Sequence, residues 1–287
     1  MDEESRALGR GGNEPACIRT SVTRGYEAVP NTCGRDEHGA QVYRSPESQG
    51  TTPTKIMVLG DSIAAQHGWP SQLAADFAKG PPARAVAVYS FGLSGYDVCQ
   101  ELATYRESVA SVQPDLLLLQ TCPNDVRGGS ILQSVGGRVR QYTTTGFVDF
   151  PAWVLHSRFL TLAMLRFGPR APAETSTPLS LLTGCVSELR DEVAARKLPM
   201  LVVFFPVFFG RDPALRGYLA DEDAVRSVLT ASGVSYLDLR PALEAVAPLG
   251  GGRALTDDLF HPRGEEEGRI AGLISQAMGD MIAEPAR

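Results

Sequence analysis

From position 55 onward, short apolar runs alternate with longer segments in which apolar residues recur every three or four positions, the periods of strand and helix. The run Ile56-Met57-Val58-Leu59 predicts a strand that stops at Gly60, and 85–90, 115–120, 199–209 and 234–239 read the same way. Helical spacing covers 69–78, 97–112, 179–196, 213–231 and 265–283, the second of these opened by Asp97 as an N-cap. Strands that are apolar almost throughout belong in a parallel sheet covered on both faces, and their alternation with helices implies βαβ units. The expected fold is α/β, a three-layer α/β/α sandwich of about five mostly parallel strands.

Two stretches break this rhythm. Residues 1–54 are rich in Gly, Pro, Ser, Thr and charge with no sustained period, and read as an N-terminal arm on a domain spanning 55–287, with about the first dozen residues disordered. Between 126 and 178, more than fifty residues separate the third strand from the next clear helix, too many for plain loop. Within that insert, 150–165 is amphipathic and aromatic-rich and reads as a helix that packs on the core or caps a cleft. The insert as a whole is expected to fold into helices flanking the cleft and to decide what enters it.

Composition narrows the function classes. With 287 residues, 43% hydrophobic and 21% charged, the chain is ordinary globular material and long enough for one sizeable core. Its longest apolar run, 201–209, falls well short of the ~20 residues a membrane-spanning helix requires. A net charge of −6 and scattered basic residues give no footprint for nucleic acid. The cysteines, Cys17, Cys33, Cys99, Cys122 and Cys185, form no CxxC pair and no Cys/His spacing suited to zinc, so no metal is expected. Cys17 and Cys33 both lie in the arm and would pair in an exported chain or stay as thiols in a reducing compartment. The acidic start has no apolar core of a signal peptide, which leaves export open only if a leader has been removed.

In a doubly wound sheet, ligands collect beyond the carboxyl ends of the strands, so the residues following each strand carry the question. They are Gly60-Asp61-Ser62, Gly92-Leu93-Ser94-Gly95 and Cys122-Pro123-Asn124-Asp125, with Asp258-Leu259-Phe260-His261 ahead of the last helix. Singly, each is a turn or cap sequence. Together they hold what acyl transfer needs: a hydroxyl nucleophile, an imidazole base, a carboxylate to orient it, and donors for an oxyanion. A serine hydroxyl is a poor nucleophile at neutral pH, so His261 must take its proton while Asp258, three residues earlier, fixes the imidazole tautomer. Of the other histidines, His38 sits in the arm, His156 in the insert, and His67 follows Ser62 with no carboxylate at a matching spacing.

These four blocks, in this order from position 55 to the end, resemble the SGNH hydrolase superfamily of GDSL-type esterases and lipases. The resemblance implies a flavodoxin-like sandwich with Ser62 as nucleophile, His261 as base and Asp258 as its partner. It also implies an oxyanion hole of the Ser62 and Gly95 backbone N–H groups and the Asn124 side-chain amide. Asp61, Tyr96 and Cys122 are further candidates for substrate contact. Two departures stand out: Cys122 where the family's third block usually opens with glycine, and Ser90 where the second usually opens with asparagine. No G-x-S-x-G elbow, G-x-G-x-x-G or G-x-x-x-x-G-K-[ST] is present, which disfavours α/β-hydrolase, dinucleotide and P-loop chemistry. The expected activity is cleavage of a carboxylic ester, on an acylated sugar, a lipid or another small molecule, through an acyl-enzyme and without a cofactor. An O-acyltransferase with the same site and a non-catalytic carbohydrate- or lipid-binding module are the alternatives.

Overall fold

A computed structural model describes residues 17–66, 68–80, 84–127, 133–135, 138–143, 146–171, 177–207, 216–246, 261–262 and 264–283. The arm forms a hairpin, β1 (Ile18–Ser21) and β2 (Gly25–Ala28), then a strand β3 (Gln41–Arg44). The alternating series follows: β4 (Thr54–Leu59), α1 (Ser62–Gln66), α2 (Trp69–Lys79), β5 (Val86–Ser90), α3 (Val98–Val112) and β6 (Leu116–Thr121). The insert supplies β7 (Gln133–Val135), β8 (Arg138–Thr143), β9 (Gly146–Pro151), α4 (Arg158–Phe167) and β10 (Arg170–Ala171). The series resumes with α5 (Thr177–Ala195), β11 (Met200–Phe204), α6 (Arg216–Ala231), β12 (Tyr236–Asp238), α7 (Leu239–Val246) and α8 (Gly264–Ala283).

The main sheet runs β12-β11-β6-β4-β5-β3. Its first five strands are parallel, and β3 pairs antiparallel with β5 along the far edge. Successive strand residues serve opposite faces, which is why the runs are apolar throughout. Met57, Leu59, Leu117, Leu119, Val202 and Phe204 pack under α3, α5 and α6. Ile56, Val58, Leu116, Leu118, Leu201 and Val203 pack under α2, α7 and α8. This is the expected three-layer sandwich. Its sixth strand comes from the arm, where a four-residue segment has too little pattern to stand out. The run predicted to 209 ends as a strand at Phe204, because Pro206 has no N–H to extend the ladder.

The insert departs from expectation. Its described part is a four-stranded antiparallel sheet, β10-β9-β8-β7, with one helix, rather than a set of helices. The reason is a period of two: Val148 and Phe150 point to one face, and Val139 lies opposite Phe150, all of them buried. Within the predicted helix 150–165, the first residues finish β9 and make a 3-10 turn at Ala152–His156, and the α-helix starts only at Arg158. Ser157 caps it by accepting a hydrogen bond from the Leu160 N–H.

Two disulfides cross-link the chain. Cys17–Cys33 closes the arm, one of the two outcomes left open by the sequence. Cys99–Cys185, which no spacing signals, joins α3 to α5, while Cys122 is free and buried. Among the described residues no helix is long and apolar enough to cross a membrane. Since Cys99 and Cys185 are 86 residues apart, their bond restricts a long loop in the unfolded chain. Replacing both by serine should lower stability by about 2–4 kcal/mol in urea denaturation of the oxidised protein.

Candidate active site

The order of the sheet reverses at β4, which has β5 on one side and β6 on the other. A crevice is expected at the carboxyl end of such a strand. Ser62 lies there, as the first residue of α1. Asp61 holds this turn: its Oδ1 accepts from the Ile63 N–H at 2.8 Å and its carbonyl from the Ala65 N–H at 3.0 Å. The Asp61 N–H in turn donates to Gln120 Oε1 on β6 at 3.0 Å. Trp69, fully buried, donates from Nε1 to the Ile63 carbonyl at 3.0 Å. His261 arrives from just ahead of α8, and its Nε2 lies 2.8 Å from Ser62 Oγ across 199 positions of sequence. Glu267 on α8 accepts from the Gly68 N–H at 2.8 Å and so ties the same end of α8 to the segment following α1.

The loop after β5 passes against α1. A Cβ on Gly92 would stand 2.5 Å from the backbone of Ala64 and Ala65, so only glycine permits this approach. The Leu93 N–H donates to the Gly60 carbonyl at 3.1 Å. Residues 93–96 then make a turn closed by the Tyr96 N–H on the Leu93 carbonyl at 3.1 Å. Gly95 occupies its third position with φ of +76°, the conformation a type II turn demands there. Ser90, at the position where asparagine was noted as usual, is buried and donates to the Ala64 carbonyl at 3.3 Å. The segment after β6 forms a 3-10 turn over Pro123–Arg127. Asn124 projects from it, half-buried, with Nδ2 donating to Asp61 Oδ2 at 3.3 Å. An amide carries two N–H bonds, so this contact uses only one of them.

Beneath the loops lies a buried acidic cluster. Asp61, Asp97, Glu101 and Asp125 are all nearly inaccessible to solvent. Asp97 caps α3 through a capping box with Gln100, and Asp125 Oδ2 accepts from the Cys122 N–H at 2.9 Å. Glu101 Oε2 is buried without a hydrogen-bond partner. Loss of hydration pushes the Glu101 carboxyl well above the usual carboxylate range, and repulsion from Asp125, Asp61 and Asp97 adds to it. Burial, then repulsion from Asp61, raises Asp125 in the same way, against a smaller opposing effect of the Cys122 N–H. The Cys122 thiol is likewise pushed well up, by burial first and then by Asp61 and Asp125. It lies 2.7 Å from Asn124 Oδ1 and 3.2 Å from Asp61 Oδ2, with one proton to donate.

Of the residues singled out from sequence, Ser62, Gly95, Asn124 and His261 therefore come from four segments at one end of the sheet. Asp61, Tyr96 and Cys122 accompany them with buried side chains. Asp258 and His67 lie outside the described residues. Gln120 and Glu101 escaped the sequence reading, and Asp125 entered it only as part of its block, with no role assigned. Polar residues inside otherwise apolar elements, such as Gln120 in Leu-Leu-Leu-Leu-Gln-Thr, were the signal available for them.

Residues 58–265 match the model of the GDSL-like lipase/acylhydrolase family. No curated protein is significantly similar to the chain in sequence. Among solved structures, the acetylxylan esterase Axe2 from Geobacillus stearothermophilus superposes with a TM-score of 0.52 at 17% identity, covering 81% of this chain and 96% of its own. Structures of Axe2 described as catalytic mutants replace a serine, an aspartate or a histidine by alanine, the last two being three positions apart. A lipase/acylhydrolase from Enterococcus faecalis matches with a TM-score of 0.51 at 16% identity, covering 79% of this chain and 96% of its own.

The raised carboxyls make stability depend on pH. Folded Glu101 and Asp125 hold protons that the unfolded chain releases above its ordinary carboxylate range. Their contribution is complete below the unfolded-state value and is lost as pH rises toward the folded one. The neutral isostere in Glu101→Gln should therefore shrink the fall in melting temperature between pH 5 and pH 8. An equal fall in variant and wild type would place an ionised Glu101 in the folded protein.

Proposed function

Because the chain belongs to the GDSL-like lipase/acylhydrolase family, we propose that it hydrolyses carboxylic esters through an acyl-enzyme on Ser62. The observation that carries this reading is the 2.8 Å contact between Ser62 Oγ and His261 Nε2, a distance at which a proton can pass. Ser62 attacks the ester carbonyl as His261 takes its proton. The resulting oxyanion is held by the N–H groups of Ser62 and Gly95 and by the second N–H of Asn124. Collapse of the tetrahedral intermediate breaks the bond to the alcohol, which leaves with the proton from His261. Water then gives a proton to the same imidazole, attacks the acyl group and frees Ser62. Every proton moves among serine, imidazole, water and alcohol, so the cycle needs no metal or organic cofactor.

Asp258 is the proposed partner of His261 Nδ1. The catalytic aspartate and histidine variants of Axe2, three positions apart, support it, since Asp258 and His261 have the same spacing. Cys122 is the other nucleophile near the loop, but burial and neighbouring carboxylates keep it a thiol rather than a thiolate. The acetylxylan esterase names of the similar structures support an acetylated carbohydrate as the first substrate to try. Two disulfides support residence in an oxidising compartment.

Ser62→Ala and His261→Ala should each lower kcat for p-nitrophenyl acetate by about a thousand-fold or more with the fold intact, and Asp258→Asn by less. A fluorophosphonate reagent should label wild-type protein at Ser62 and leave Ser62→Ala unlabelled. Full esterase activity in folded Ser62→Ala would overturn the mechanism.

A further inference from the structure

The arm touches the loop that carries Gly95 at three separate points. The Tyr26 hydroxyl donates to the Ser94 carbonyl. Arg35 Nη2 donates to the Gly92 carbonyl at 2.8 Å while its Nη1 donates to the Gly39 carbonyl of the arm, also at 2.8 Å. In the reverse direction, the Tyr96 hydroxyl donates to the Tyr26 carbonyl at 2.6 Å. The rings of Tyr26 and Tyr96 meet edge to face, with centroids 5.1 Å apart. Four residues further along, Gln100 completes the connection. Its Oε1 accepts from the Asp97 N–H at 3.1 Å and its Nε2 donates to the Arg24 carbonyl at 2.6 Å.

These contacts fall on a short loop. On one side Gly92 rests on the backbone of Ala64 and Ala65, two and three residues after Ser62. On the other side the arm holds the carbonyls of Gly92 and Ser94. The Ser94 carbonyl belongs to the same peptide unit as the Gly95 N–H, so a donor fixed on that oxygen fixes the direction of the N–H. The arm itself is closed by Cys17–Cys33, with both Tyr26 between the two cysteines and Arg35 two residues beyond the second.

We propose that Tyr26 and Arg35 of the disulfide-closed arm are positioning residues, which aim the Gly95 N–H at the oxyanion formed on Ser62. The inference rests on the ester-hydrolase reading above and adds to it a part of the chain that lies before the catalytic blocks. A donor displaced by a fraction of an ångström loses most of its value in the transition state and little in substrate binding, so the effect belongs in kcat.

The test uses Tyr26→Phe, which keeps the ring and removes one donor, with Arg35→Met and the conservative Arg35→Lys. Turnover of p-nitrophenyl acetate, thermal unfolding, and amide hydrogen exchange of peptides covering 91–98 are measured on each full-length oxidised variant. The expected result is a fall in kcat of about ten-fold for Tyr26→Phe and Arg35→Met with KM within two-fold, a part of a single oxyanion donor's effect. Exchange in 91–98 should be faster in both, and Arg35→Lys should recover part of the lost turnover. Folded Tyr26→Phe and Arg35→Met with wild-type kcat, or with unchanged exchange in 91–98, would overturn the inference while leaving the hydrolase reading intact. A wild-type protein that neither turns over esters nor takes the fluorophosphonate label would instead overturn the hydrolase reading.

Discussion

The constraint on which the site depends is that β4, β5 and β6 end at one level. Val58 lies opposite Ser90 across one side of β4, and Leu59 opposite Leu119 across the other. A slip of two residues would carry a loop about 7 Å along the strand, beyond hydrogen-bond reach of its partners. Apolar pattern alone does not prevent such slips, because these strands are buried on both faces and read apolar in either register. The register is held by contacts that tolerate no displacement. Gln120 Oε1 must meet the Asp61 N–H, the Leu93 N–H must meet the Gly60 carbonyl, and Gly92 must lie on the backbone of α1. The groups that set the register also build the site, so folding and catalytic geometry are specified together.

This explains which features the sequence made legible. Parallel strands with helices between them announce themselves by period and composition, and the bounds of β4, β5, β6 and α3 fall within one or two residues of expectation. Ser62, Gly95, Asn124 and His261 stand out as site candidates only through four ordered blocks, since no local property distinguishes a turn glycine from one proposed for an oxyanion hole. The insert misled because the apolar spacing of 150–165 merges two structures. Phe150 belongs to the two-residue period of β9, and the helical period begins at Arg158. Cys99–Cys185 gave no signal, as pairing between cysteines on two helices depends on how α3 and α5 pack.

The arm illustrates a different limit. Its strands are four residues each, and its Gly and Pro content reads as irregular chain. What orders it is tertiary: a disulfide, the exposed edge of β5 that β3 covers, and hydrogen bonds onto backbone carbonyls of the 92–96 loop. Covering that edge also removes a row of unpaired backbone groups that would otherwise invite association. Tyr26, Leu93 and Tyr96 join Val139, Val148 and Phe150 of the insert in a third apolar cluster. Arm and insert, the two segments with least regular pattern, therefore meet on the loop that carries Gly95.

The buried carboxyls look like a liability in this setting, but the neutral forms of Glu101 and Asp125 suit it. Burial and repulsion from neighbouring acids raise Glu101 and Asp125, and protonation is the less costly response in a dry interior. Burial above all keeps Cys122 protonated, and a thiol can donate to Asn124 Oδ1 where a thiolate would repel it. With Cys122 Sγ 2.7 Å from its Oδ1 and Asp61 Oδ2 accepting from its Nδ2, the Asn124 amide has a partner at each end. A glycine at position 122 would supply no such donor. The departure from the family pattern thus falls on a residue that touches the Asn124 side chain, and burial among carboxyls keeps it a thiol.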